Sequence, residues 1–296
     1  MKVGIVHDSP VPTLSSRQLM LAFMKRGVES SYLRISRLSS IMDEHGIRIM
    51  YGSEAGDFMD ALIIRSLGFI ATLEQVFRRV DILKQLELSG TLIINPIESM
   101  LKARDKYASI MALKAAGINV PPTAVVEEVF TAVEICKKWG DVVIKPMMGS
   151  MGYGSVRTSD PDIVFTIAKT WLTHGQPIYI QKYIPKPGRD IRVFVVGNEV
   201  LGGYYRYALN GNWKTNVAQG ARTEKIEKLD EEIIDMALKA VNTLKLHYAG
   251  VDIGEVGDDF VIFEVNAAPQ WSGFMSATGI NPSDKIAEYV IKLLKN

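Results

Sequence analysis

The chain has 296 residues, and its 34 Lys and Arg stand against 33 Asp and Glu, a net charge of +1 at pH 7. So even a balance gives no basic surface for a duplex and no acidic tail, which argues against a nucleic-acid partner. The single cysteine, Cys136, excludes a disulfide framework or a thiolate metal cluster, and the length supplies core for two or three packed units.

MKVGIVHDSP has one Lys and a short apolar run before His7 and Asp8, which reads as a strand rather than a signal peptide. No apolar run approaches the roughly 20 residues of a membrane span, so the expectation is a cytoplasmic protein with no membrane partner. A helix from about Ser16 to Arg26, stopped by Gly27, comes next. Strands at SSYLRIS and DALIIRS, a helix through LEQVFRRVDILKQLELSG and a fourth strand, TLIIN, ended by Pro96, predict a parallel sheet with helices on its faces. No glycine fingerprint follows the first strand, so a nicotinamide cofactor is not expected.

From Asn95 the pattern changes. IESMLKARDKYASIMALKAAG reads as one helix ending at Gly117, before the pair Pro121-Pro122. Hairpin-like strands VVIKP and MMGSMGYGS, a helix through about Trp171 and the strand PIYIQKYI come next. Cys136 falls in an amphipathic stretch and reads as a small buried thiol. Beyond Pro187 strands dominate as far as NVAQG, then LDEEIIDMALKAVNTLKL is helical, YAGVDIGEV and FVIFEVN are strands, and a last helix closes the chain. Breaks near Asn95 and Ile184 divide it into three modules: an α/β unit over 1–94, and α+β units over 95–184 and 185–296.

In VDIGEVGDDFVIFEVN two strands flank Gly257-Asp258-Asp259, a strong hairpin signal. Side chains alternate faces along a strand, so the odd-numbered Val251, Ile253, Val261, Phe263 and Val265 are expected on one apolar face. Asp252, Glu264 and Asn266 then share the other. A three-residue turn sets Val256 opposite Phe260 and Asp252 opposite Glu264. Two carboxylates across a ladder repel, and a cation between them removes the penalty. Hard oxygen ligands with open positions suit Mg, and Asn266 adds a neutral oxygen. The hairpin alone would serve equally as a solvated outer face.

MMGSMGYGSV holds Gly149, Gly152 and Gly154 beside Ser150 and Ser155, and glycines let backbone N–H groups approach a phosphate closely. It lacks the Lys-Ser or Lys-Thr and the following helix of a P-loop, and a flexible hairpin tip would also be glycine-rich. Lys145 ends the strand entering this loop, where a lysine among apolar residues is costly to bury without an anion. Lys106, taken alone, reads as a solvated helix lysine. Asp190 and Arg192 share a strand face and could form a surface ion pair, and Arg206 with Lys214-Thr215-Asn216 adds polar groups nearby.

Taken together and in order, these motifs resemble the RimK-like branch of the ATP-grasp carboxylate–amine ligases. The resemblance runs through NPIESMLKARDKYASIMALKAAGINVPPT, VVIKPMMGSMGYGSV, IQKYIPKPGRDIRVFVVG, AGVDI and FEVNAAP, while the first 94 residues match only in kind, as an α/β domain preceding the ATP-grasp modules. It implies an ATP-grasp fold, mixed α/β and α+β. In the ATP site so implied, Lys106 and Lys145 contact the ATP phosphates, with Gly149, Ser150, Met151 and Gly152 folded over them. Gln181, Lys182 and Tyr183 form the adenine-side hinge, and Asp190 meets the ribose. Arg206 faces the transferred γ-phosphate, and Lys214, Thr215 and Asn216 line that end, with Arg206 and Asn216 as catalytic residues. Asp252, Glu264 and Asn266 hold one or two Mg or Mn ions. Relatives often have Glu where Lys182 stands and Ser where Ala268 stands.

The chemistry implied passes the γ-phosphoryl to a carboxylate, and an amine attacks the acyl phosphate to form an amide. Charge neutralisation, rather than covalent help from the protein, is what such a site must supply. His7, His45, His174 and His247 are scattered and form no catalytic pair. The branch commonly adds L-glutamate to an acceptor carboxylate, so the expected partners are L-glutamate and a coenzyme, such as tetrahydromethanopterin, or a protein C-terminus; a homo-oligomer is compatible with the sequence. Arg65, and His7 with Asp8, are expected to touch the acceptor because ligands of open α/β sheets sit at carboxyl ends of strands, and Arg192 is a further substrate candidate. A non-catalytic ATP-binding regulator would show a broken metal set or missing lysines. A D-alanyl-D-alanine-type ligase expects an arginine where Gly250 stands.

Overall fold

In the computed structural model, which describes all residues except 56–58, 69–70, 148–151, 210–211, 218–219 and 296, and nothing of the side chains at 54 and 55, β1 (Lys2–His7) lies inside the first sheet. Its Val3, Ile5 and Val6 are fully buried because both sheet faces are covered. α1 (Leu14–Met24) begins where the Thr13 side chain accepts from the Ser16 N–H. β2 (Glu29–Arg34) pairs parallel with β1. The three-stranded antiparallel sheet that follows, β3 (Leu38–Asp43), β4 (Gly46–Tyr51) and β5 (Glu54–Ala55), has no counterpart in the sequence reading. β6 (Ala61–Ile64), α2 (Leu73–Leu88), capped by a Thr72–Gln75 capping box, and β7 (Leu92–Ile94) complete the parallel sheet in the order β2-β1-β6-β7.

The helix expected over residues 97–117 is two helices, α3 (Ile97–Arg104) and α4 (Lys106–Ala115). Asp105 parts them: its extended backbone ends α3, and its carboxylate accepts from the N–H groups of Tyr107 and Ala108 to start α4. Lys106 therefore stands at the first turn of a helix, pointing inward, rather than on a solvated face. β8 (Thr123–Val126), α5 (Val129–Trp139), β9 (Val142–Pro146), β10 (Val156–Thr158), α6 (Pro161–Thr173) and β11 (Ile178–Lys182) build an antiparallel sheet in the order β10-β9-β11-β8. Its two helices close over a core of its own, in which Cys136 is a buried apolar group beside Val142, Ile144 and Ile180.

β12 (Arg189–Val196), β13 (Glu199–Tyr207), β14 (Arg222–Lys225), α7 (Glu231–Thr243), β15 (Tyr248–Val256) and β16 (Asp259–Asn266) form the largest sheet, β14-β13-β12-β15-β16, followed by α8 (Ser272–Thr278) and α9 (Pro282–Lys295). Between β13 and β14 the described residues form no strand, contrary to the expectation for that stretch. This sheet shares its core with the first one: Val6, Leu62 and Ile64 lie in one cluster with Ile191, Val251 and Val265. Asn95 pins the two sheets further. Its buried carboxamide donates to the carbonyls of Tyr248 (2.9 Å) and Ala267 (2.7 Å) and accepts from the N–H groups of His247 (2.6 Å) and Tyr248 (3.1 Å). Among the described residues no helix is long and apolar enough to cross a membrane.

Candidate active site

The β15–β16 hairpin sets Asp252 opposite Glu264, as expected, but by another route. The turn is the two residues Gly257-Asp258, with Val256 opposite Asp259 and not Phe260. That register alone would put Asp252 opposite Phe263. A bulge at Phe263 inserts the extra residue and restores the pair. It also overturns the parity assignment of two residues. Ile262, not Val261 or Phe263, is the fully buried core residue of this stretch, and Phe263 turns to the cavity side, where its ring covers the bare Cα of Gly254.

A cavity of about 700 Å³ opens over this hairpin, walled by β12, β13, β15 and β16 on one side and by β9 and β11 on the other. Five lysines and four arginines line it against three carboxylates, an excess that suits a polyanion. On the first wall the charges are matched. Arg206, buried at 4% exposure, donates Nε and Nη2 to the two oxygens of Asp190 at 2.7 and 2.9 Å and reaches Asp252 at 3.1 Å. Arg192 grips both oxygens of Asp252, and Thr215 Oγ1 and Lys186 Nζ (3.6 Å) also meet Asp190. Asp190 and Arg192 are thus not paired with each other, nor on the surface: each pairs across to a neighbouring strand. Burial pushes the Asp252 carboxyl up, but Arg192 and then Arg206 outweigh it and hold it below its ordinary range. Gly250 is bare where Arg192 crosses; a Cβ there would lie 3.1 Å from Arg192 Nη1. An arginine from the adjacent strand fills the space over the position where the other ligase type expects its own.

On the second wall the cations have few anions. Lys145 Nζ donates to Gln181 Oε1 at 2.8 Å, and burial pulls its pKa down to about 8, with Glu264 opposing. Lys106 Nζ reaches the Met147 carbonyl at 3.2 Å, and burial lowers its pKa as well, again with Glu264 opposing. Gln181 also donates to Thr123 and to the Tyr179 hydroxyl, so its side chain positions Lys145. Tyr183 lies beneath the Arg157 guanidinium, 3.6 Å away, and edge-on to Trp213. Lys182, Tyr183, Gly152, Lys214, Thr215 and Asn216 all line the cavity, and Lys214 Nζ donates to the Gly152 carbonyl at 3.1 Å. Gly149, Ser150 and Met151 lie outside the described residues.

Asp252, Glu264 and Asn266 line the cavity together. Among the described residues the buried Asn266 carboxamide nitrogen has no hydrogen-bond partner. Two carboxylates and an amide oxygen fit a hard divalent cation; among the described residues no group of three acidic, His or Cys side chains gathers anywhere. Arg65 lines the same cavity, donating to the Pro269 carbonyl at 2.7 Å and stacking on Trp271. His7 does not line it: its ring accepts from the Ser9 N–H and sits 3.1 Å from Asp8, and burial lowers its pKa. Sequence reasoning missed Lys186 and Arg104, both cavity-lining. Lys186 sits in a PKPG stretch that reads as a turn, and Arg104 as an ordinary basic residue ending a helix.

Residues 103–290 match the RimK-like ATP-grasp domain. The chain is 33% identical to a tetrahydromethanopterin:alpha-L-glutamate ligase of Methanosarcina acetivorans over 99% of both chains. A protein with the same description from Methanocaldococcus jannaschii is 36% identical, over 84% of this chain and 85% of that one. Among solved structures, the ATP-grasp ligase PsnB complexed with minimal precursor superimposes with a TM-score of 0.77 at 19% identity over 99% of this chain and 98% of that one. PsnB has also been solved with minimal precursor, Mg and ADP, and there the TM-score is 0.74.

Proposed function

The chain belongs to the RimK-like ATP-grasp family and is an ATP-dependent ligase of acids with amino acids, and from that premise we propose that it adds L-glutamate to the carboxylate of a coenzyme of the tetrahydromethanopterin kind, or of a protein C-terminus. The observation that carries this reading is the cavity's arrangement: a pair of carboxylates opposed across one ladder, facing two half-buried lysines with depressed pKa values. ATP and Mg fit that arrangement, and Mn satisfies the same oxygen donors.

In this reading the γ-phosphoryl passes to the acceptor carboxylate, and the glutamate amine displaces phosphate from the acyl phosphate, leaving the amide, ADP and phosphate. Lys106 and Lys145 are held by Met147 and Gln181 on the wall facing Glu264, where they would receive phosphate charge. Arg206 is fixed between Asp190 and Asp252, so it would meet developing charge without reorganising, and Asn216 lines the same end. Asp190 is taken up by Arg206, Lys186 and Thr215, so its contact with the ribose would come at the edge of that network. Asp252, Glu264 and Asn266 would hold the metal, which when bound screens the phosphates from the incoming carboxylate. The division at 1–94, 95–184 and 185–296 is proposed on the same footing, supported by the separate core of β8 to β11.

The test is ADP release with L-glutamate against a panel of carboxylate acceptors, with the product weighed by mass spectrometry. One glutamyl residue added to a coenzyme or peptide acceptor is the expected result. ATP bound but never hydrolysed with any acceptor would favour the regulator instead.

A further inference from the structure

The even-numbered Ile178 and Ile180 of β11 point into the core of their own unit, so the odd-numbered Tyr179 and Gln181 take the cavity side. There Tyr179 lies opposite Lys145 on β9, and Gln181 opposite Thr123 on β8. Lys145 Nζ stands 5.9 Å from the centre of the Tyr179 ring and 2.8 Å from Gln181 Oε1. Both groups are uncharged. Partners on β8 decide which way the Gln181 amide faces: the Thr123 hydroxyl gives its proton to the Pro121 carbonyl at 2.8 Å, so its oxygen accepts from Gln181 Nε2 at 3.0 Å. A reversed amide would set its NH2 group against the Lys145 ammonium. The same nitrogen donates to the Tyr179 hydroxyl at 3.2 Å, which places both amide hydrogens and leaves this side chain, 2% exposed, none to offer a base. Among the described residues no carboxylate touches Lys145: burial lowers its pKa to about 8, with Glu264 and Asp252 opposing from β16 and β15, and Lys106 and Lys186 adding to the fall. A carboxylate at 181 would match the amide in shape and neutralise the ammonium. The amide oxygen holds it and leaves the charge for an anion.

We infer that Gln181 is a positioning residue for the phosphate end of the nucleotide: its amide, locked by Thr123, holds Lys145 at the cavity without neutralising it and takes no part in recognising the base. This rests on the nucleotide reading of the cavity and not on the ligation step. Because the role runs through Lys145, a double-mutant cycle isolates it. In calorimetry with ADP and Mg at pH 7, Gln181→Met is expected to weaken binding by about fivefold when Lys145 is present and by less than about twofold in Lys145→Met. Losses that multiply in the double variant would mean that Gln181 meets the nucleotide itself, and they overturn the inference.

Gln181→Glu keeps the shape and adds the charge. It should weaken ADP binding by about tenfold or more at pH 7, and move the loss of affinity expected above about pH 8 to beyond about pH 9, because a paired Lys145 keeps its proton longer. A purely structural Gln181 predicts equal losses from Met and Glu with the pH profile unmoved, and that result overturns the positioning role. Thr123→Val leaves residue 181 native and so stays informative if a change inside the sheet prevents folding. It frees the amide, and a loss of about two- to threefold that disappears in Lys145→Met is expected; unchanged ADP binding overturns the lock. Wild-type protein that binds no ADP sinks the nucleotide reading and this role together, whereas ADP binding with multiplying losses sinks this role alone.

Discussion

The two walls of the cavity differ in how their charges are satisfied. On β12, β13 and β15 the buried groups form an alternating chain, Arg192, Asp252, Arg206, Asp190, in which each charge has a partner. On β9, Lys145 is half-buried with the neutral Gln181 as its acceptor, and both it and Lys106 on α4 feel Glu264 from across the gap. The first wall is complete before any ligand arrives; on the second, the burial of Lys145 beside a neutral amide costs folding stability and keeps a cation ready for an anion.

Glu264 links the walls, so its loss should break the contrast most severely. Glu264→Ala is expected to abolish ATP turnover while leaving the fold intact, and ADP formation at the normal rate in Mg would sink the metal assignment. Arg206→Ala should be next, because it removes the partner shared by two buried carboxylates and leaves Asp252 to Arg192 and Asp190 to Lys186; an unfolding free energy lower by about 3 kcal/mol, measured by denaturant titration, is expected. Lys145→Met should go the other way on stability, with Tm unchanged or higher, yet weaken ATP binding by about ten- to a hundredfold in calorimetry. A clear fall in Tm would mean that Lys145 is structurally matched after all. Gly254→Ala, which pushes the Phe263 ring off its seat, should cost about 1–3 kcal/mol and disturb Mg-dependent more than Mg-independent nucleotide binding.

Acid and base should also separate the walls. The Lys145 pKa of about 8 lies below its ordinary value, so between the two the unfolded chain binds more protons, and this group adds stability as pH rises through that window. Its charged form is the one that meets phosphate, so ATP affinity should weaken above about pH 8, and Lys145→Met should remove that inflection. The depressed Asp252 carboxyl has the opposite sign: its contribution is present above the ordinary carboxylate range and is lost as pH falls through the lowered value.

The parallel sheet and the hairpin that carries Asp252 and Glu264 were legible because apolar periodicity and turn signals are local properties. The bulge was not, since nothing in DDFVIFEVN marks which residue is extra; an assumed turn that was one residue too long compensated for it. The sheet of β3 to β5 escaped because many of its residues are exposed and give no two-sided alternation. The helix break at Asp105 carried a readable cap signal, but the apolar pattern on both sides hid it.

The carboxamide of Asn95 has a consequence for how ligands enter. With four hydrogen bonds it rivets the end of β7 to the start of β15 and to the exit of β16, and the first and largest sheets share one core besides. Those two sheets therefore form a single anvil, and any gape of the cleft falls to the unit of β8 to β11, whose interior is its own.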